Sequence, residues 1–171
     1  RAVRRRAGGG GPGREAVLEA FPGLFLNLEA KSDAAVEPMA RAIRAAAALD
    51  RVCVGAFAPA RTSRLLAAVG AGLAWSPAHA GVAKMWAAGW GLPVPRPEFP
   101  CVQVPPTFRG IPVVTGRFVR AARARGVQVH VWTVDEEARM ERLIDLGVDG
   151  IMTDRPTRLR DVLLRRGLWR G

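Results

Sequence analysis

Val127-Gln128-Val129-His130-Val131-Trp132-Thr133-Val134 and, further on, Val148-Asp149-Gly150-Ile151-Met152 decide the fold. Both are apolar runs rich in β-branched residues and bounded by turn formers, the pattern of strands covered on both faces. Between them, Asp135 is a helix signal and Thr133-x-x-Glu136 has capping-box spacing. Met140, Leu143 and Ile144 then make an apolar stripe that Gly147 ends. Before the first run, Thr115 to Arg125 predicts a helix stopped at Gly126. After the second, Thr153-Asp154 is expected to cap a last helix, with Pro156 in its first turn and Leu159, Val162 and Leu163 facing inward. Helix, strand, helix, strand, helix implies a parallel sheet with right-handed crossovers.

The alternation continues towards the start of the chain. Arg14 to Ala20 predicts a short helix closed by Phe21-Pro22-Gly23, and Leu24 to Lys31 predicts a strand. Ser32 and Asp33 are expected to cap a helix whose stripe is Val36, Met39, Ala40, Ile43 and Ala47. Arg51 to Phe57 is a second buried strand, Arg61 to Val69 a third helix stopped by Gly70 and Gly72, and Leu73-Ala74-Trp75 a further short strand. Leu92 to Pro112 holds seven of the thirteen prolines, so it predicts a long ordered loop. Within it, only Cys101-Val102-Gln103-Val104 has strand character. A (β/α) barrel and an open doubly wound sheet both fit this order.

With 171 residues and 18.4 kDa, the chain fits one domain with little room for two. Its 49% apolar content excludes a disordered protein, and no apolar run approaches a membrane span. Cys53 and Cys101 have no C-x-x-C partner or adjacent histidine, which argues against a disulfide scaffold, a structural zinc site or a thiol nucleophile. The net charge of +11 is concentrated at the ends, in Arg-rich residues 1–14 and 155–171, while 15–154 has fifteen bases against fourteen acids. Those ends read as solvated tails, and no nucleic-acid partner is expected because no basic stretch is interleaved with stacking aromatics. Weak contact of the ends with an anionic membrane surface stays open. Residues 1–13, which pass from Arg4-Arg5-Arg6 into a glycine run, are expected to be a disordered lead-in following something upstream of Arg1. The glycine run is not a phosphate loop, since Gly13 is followed by Arg14-Glu15. The basic start has no apolar h-region after it, and the expected compartment is cytoplasmic.

Four segments together resemble the glycerophosphodiester phosphodiesterase family. The C-terminal pair is Val129 to Val134 and Leu146-Gly147-Val148-Asp149-Gly150-Ile151-Met152-Thr153-Asp154-Arg155-Pro156. Leu26-Asn27-Leu28-Glu29-Ala30-Lys31 is similar to the family's middle strand, and Val52 to Phe57 to the strand after it. The resemblance covers about residues 15–169 and implies a (β/α) TIM-type barrel of the PLC-like phosphodiesterase type. A whole barrel takes ~250 residues, so this chain corresponds to about five or six of eight strands, the C-terminal portion over 14–171. The family's His-Arg-Gly strand, Glu-x-Asp strand and His-Asp pair have no counterpart here, where the only histidines are His79 and His130. The catalytic histidine pair and two carboxylate ligands are thus missing, and hydrolysis by this chain alone is expected to be very low.

By the same resemblance, Glu29 is the third carboxylate ligand of a Ca or Mg ion, though the chain alone is not expected to hold the ion stably. The other reading of Glu29 is an ion pair with Lys31, which shares its strand face. Lys31, one of only two lysines, would face the substrate phosphate. Trp132 and Phe57 are walls of a glycerol pocket by likeness, or packing residues. His130 reads as a core histidine, His79 as a loop surface residue, and Asp149 and Asp154 as turn and cap chemistry. The implied reaction in the complete enzyme converts a small glycerophosphodiester to glycerol 3-phosphate and an alcohol. The alternative is a non-catalytic basic module on a barrel remnant, holding an acidic partner, lipid surface or nucleic acid.

Overall fold

The parallel strands expected from the alternation are present, divided between two compact units that meet in sequence at Ala78 and His79. The computed structural model describes residues 14–55 and 58–169. The expected lead-in 1–13 and Phe57 lie outside the described residues.

In the first unit, α1 (Arg14–Ala20), β1 (Leu26–Glu29), α2 (Val36–Ala45), β2 (Val52–Gly55), α3 (Pro59–Val69) and β3 (Ala74–Ser76) follow one another. The strands form one parallel sheet in the order β1-β2-β3, with Leu26 opposite Val52 and Glu29 opposite Gly55. Its core is built from Leu18, Met39, Ile43, Val52, Val54 and Leu65, so α2 and α3 bury apolar residues with the sheet and α1 adds Leu18. β1 is shorter than expected: Leu24 and Phe25 precede it, and Phe25 is 84% exposed. Ala47 also falls outside its expected element. α2 ends at Ala45, and Ala47 is exposed at a positive φ of 45°. Ser32 makes no side-chain cap hydrogen bond, because a turn of 3-10 helix at Asp33–Ala35 leads into α2 instead.

The second unit runs through α4 (His79–Gly89), β4 (Cys101–Val104), the hairpin β5 (Thr107–Phe108) and β6 (Ile111–Pro112), α5 (Gly116–Arg123), β7 (Gln128–Val131), α6 (Glu137–Leu146), β8 (Gly150–Ile151) and α7 (Pro156–Arg165). β4, β7 and β8 form a second parallel sheet with β7 central, Val104 opposite Val131 and Val131 opposite Ile151. Met85, Val102, Val104, Phe118, Val129, Val131, Met140 and Val162 pack as its core. Thr115 caps α5 by accepting the Phe118 backbone N–H at 3.2 Å, and Gly147 closes α6 in the left-handed conformation. The Thr133/Glu136 capping box does not form: Glu136 precedes α6 without a side-chain cap bond. Asp154 likewise gives α7 no cap, whereas Pro156 does occupy its first turn. Among the described residues, no helix is long and apolar enough to cross a membrane.

Candidate functional site

Glu29 is the last residue of β1, at the carboxyl end of the first unit's parallel sheet. Ala30 follows, buried, with its N–H donating to the Gly55 carbonyl at 3.3 Å. Glu29 and Lys31 flank Ala30, and the Lys31 ammonium pairs with a Glu29 carboxylate oxygen at 3.1 Å. The pair is asymmetric: the Lys31 side chain is 80% exposed and that of Glu29 35%. The cation therefore stands in water, held from behind by a partly covered carboxylate.

The backbone beneath the pair is fastened by residues that the strand motif does not include. Arg61 of α3 donates to the Lys31 carbonyl at 3.0 Å and to the Asp33 carboxylate at 2.6 Å, and Arg64 reaches the same carboxylate at 3.1 Å. Hydrogen bonds from Arg61 and then Arg64 lower the Asp33 pKa below its ordinary 3.8. Asp33 thus anchors the segment after β1 to α3, where a helix cap was expected.

Trp132 belongs to the second unit, directly after the carboxyl end of β7, and is half-buried. Its backbone N–H donates to the Val104 carbonyl at 3.1 Å, and its peptide bond to Thr133 is cis. Asp135 gathers the surrounding backbone, accepting from the Thr153 hydroxyl at 2.7 Å and the Asp154 N–H at 2.9 Å. Those bonds, Thr153 first, lower the Asp135 pKa below its usual value. The segments that follow β7 and β8 are therefore tied together by one carboxylate. Asp149 does related work before β8: its carboxylate accepts the Val129 N–H at 2.8 Å.

His130 lies within β7 opposite Gly150, with burial holding its pKa below 6.5 against the opposing pull of Asp149. His79 is exposed as expected, but it opens α4 and is not in a loop.

Among the described residues, no three His, Cys, Asp or Glu side chains are grouped to hold a metal ion. Glu29 offers one carboxylate, and Lys31 is already bound to it. A hard divalent cation takes several oxygen ligands, so these residues by themselves do not fit one. What Glu29 and Lys31 can do is present a water-facing ammonium to an anion.

The sequence model of the Glycerophosphoryl diester phosphodiesterase family matches residues 29–158, beginning at Glu29. The chain is 39% identical over 170 residues to "Probable glycerophosphodiester phosphodiesterase 2" of Mycobacterium tuberculosis, covering 94% of this chain and 62% of that protein. A 40-residue stretch is 55% identical to human "Lysophospholipase D GDPD1", covering 23% of this chain and 13% of that one. The chain thus spans less than two thirds of these relatives. Among solved structures, a glycerophosphodiester phosphodiesterase from Parabacteroides distasonis superposes with a TM-score of 0.68 at 20% identity, over 90% of this chain and 64% of that one. One from Agrobacterium tumefaciens gives 0.63 at 17%, over 86% and 60%. At such identities the likeness speaks for fold alone: α/β, of the (β/α) TIM-barrel type. The described residues carry six parallel strands of that fold, an incomplete set beside the barrel's eight.

Proposed function

The chain belongs to the glycerophosphoryl diester phosphodiesterase family of hydrolases, and on that footing we propose that it carries the phosphate-facing strand of an enzyme that cleaves small glycerophosphodiesters. The observation that carries this reading is the Glu29–Lys31 pair, fixed at the carboxyl end of a parallel strand, where (β/α) barrels place their chemistry. The exposed ammonium of Lys31 would exchange water for a phosphodiester oxygen while keeping its contact to Glu29. Lysine's compact cation suits that exchange. Water then adds to phosphorus as the bond to the alcohol oxygen breaks, giving glycerol 3-phosphate and an alcohol such as choline or ethanolamine. Trp132 and Phe57 are proposed as apolar walls for the glycerol, and Glu29 as one carboxylate of a larger Ca or Mg site whose other donors are not among these residues. The acid–base histidines of the family have no counterpart here either.

Release of glycerol 3-phosphate from glycerophosphocholine tests the reading. The native polypeptide that contains these residues, isolated from its own cells, is expected to release it. Residues 1–171 alone are expected to be close to inactive, since a missing general acid–base pair costs about 10²–10⁴-fold on its own. Rapid hydrolysis by residues 1–171 alone would refute the proposed division of the site.

A further inference from the structure

The β5–β6 hairpin turns through Arg109 and Gly110, both at positive φ (50° and 79°), and carries Phe108 and Ile111 beside the turn. Both side chains are exposed, Ile111 by 55%. The hairpin lies along α4. The Phe108 ring is 5.7 Å from that of His79 in the first turn of α4, and further along the helix Trp86 Nε1 donates to the Pro112 carbonyl at 3.2 Å. Trp86 stands 5.6 Å from Trp90, which is 59% exposed and followed by exposed Leu92. Phe108, Ile111, Trp90 and Leu92 thus belong to one strip, bordered by cations: Arg109 lies 5.4 Å from the Phe108 ring centre and Arg117 4.6 Å from that of Trp90.

Residues 79–125, which carry the whole strip, hold seven lysines and arginines against a single acid, Glu98. Among the described residues, none of the seven is held in an ion pair. Single exposed apolar residues are ordinary, but a connected strip framed by unpaired cations is not.

We propose that this strip docks the protein on an anionic lipid bilayer, with Phe108 and Ile111 entering the headgroup region and the arginines facing lipid phosphates. Aromatic rings with one apolar face and one cationic neighbour suit that depth, and anionic lipid draws unpaired basic groups. Nucleic acid fits less well. Ile111 and Leu92 gain nothing from base stacking, and the rings of Phe108 and Trp90 already have guanidinium partners. The proposal stands apart from the Arg-rich ends and does not depend on hydrolysis.

Co-sedimentation of the full 171-residue chain with vesicles tests it, using phosphatidylcholine alone and phosphatidylcholine with about one third phosphatidylglycerol. The anionic vesicles are expected to bind at least about tenfold more tightly. Phe108→Ser with Ile111→Ser keeps every arginine of the chain, including both ends, and is expected to lose about tenfold of that binding. Arg109→Glu with Arg117→Glu is expected to remove most of the preference for anionic lipid, and decides the matter if the first variant misfolds by circular dichroism. Equal binding to both vesicles would overturn the proposal, as would unchanged binding of the folded double-serine variant. So would tighter binding to duplex DNA that the serine changes leave intact.

Discussion

An exposed ion pair contributes about 0–1 kcal/mol to stability, so the Glu29–Lys31 contact at 3.1 Å, with Lys31 80% exposed, is poorly explained as a structural device. Lys31→Ala is accordingly expected to shift the urea-unfolding free energy by less than about 1 kcal/mol, while lowering glycerol 3-phosphate release by the native polypeptide. A large stability loss would mark the pair as structural. His130 makes the opposite case, since its position costs something as pH falls. Burial depresses its pKa below 6.5, so the unfolded chain binds the proton first. Its contribution is complete above 6.5 and declines as pH drops below that value towards the folded pKa. The thermal midpoint should fall between about pH 7.5 and about pH 5.5, and His130→Gln should flatten that slope. The Glu29–Lys31 ion pair was legible in the sequence because residues two positions apart on a strand share a face, a local feature. The Asp33 anchor was not: Arg61 and Arg64 lie a helix and a strand further on, and an acid before a helix reads locally as a cap.

At the level of elements, His130 of β7 faces Gly150 of β8. A Cβ on Gly150 would stand 2.9 Å from His130 Cδ2, against a ring and not a flexible tip. Gly150→Ala is therefore expected to destabilise the protein by about 1–3 kcal/mol, the usual cost of overpacking. His130→Ala should relieve much of that penalty, so the double variant should be less destabilised than the sum of the singles in urea melts. Strict additivity would contradict the contact. β4 at Cys101–Val104 was legible to the residue, because prolines on both sides leave only those four positions free to pair. α4 was not foreseen: apart from His79 and Lys84 its sequence is alanines, glycines and apolar residues, which mark no clear polar face, and only Met85 and Ala88 are buried. The β5–β6 hairpin escaped for a different reason. Its turn puts Arg109, an unlikely residue for positive φ, before Gly110. The expected caps at Ser32, Thr133 and Asp154 do not form, and the acids near the first two serve more distant groups: Asp33 holds Arg61 and Arg64, and Asp135 holds the Thr153 hydroxyl and the Asp154 N–H.

Across the whole chain, near-neutrality of the middle hides a division. Residues 79–125 carry seven bases and one acid, whereas 126–154 carry two bases and seven acids. Part of that acidic stretch meets the basic C-terminal end. Arg165 of α7 pairs with Glu137 and Glu141 of α6, and Arg166 pairs with Glu141 and Asp145. Those two arginines, read from sequence as part of a solvated tail, are thus engaged with the preceding helix, whereas among the described residues the seven bases of 79–125 are held in no ion pair. The family and the barrel type were legible because four strand-end motifs in the right order suffice to identify them. The division into two compact units was not, since each unit repeats the same alternation of strand and helix. The central claim is that Glu29 belongs to a phosphodiester-cleaving site completed by residues outside these elements. Its most direct test is the rate of glycerol 3-phosphate release from glycerophosphocholine by the native polypeptide, compared with its Glu29→Gln variant. The account predicts hydrolysis by the first and a fall of at least about a hundredfold in the second; equal rates, or no hydrolysis by either, would contradict it.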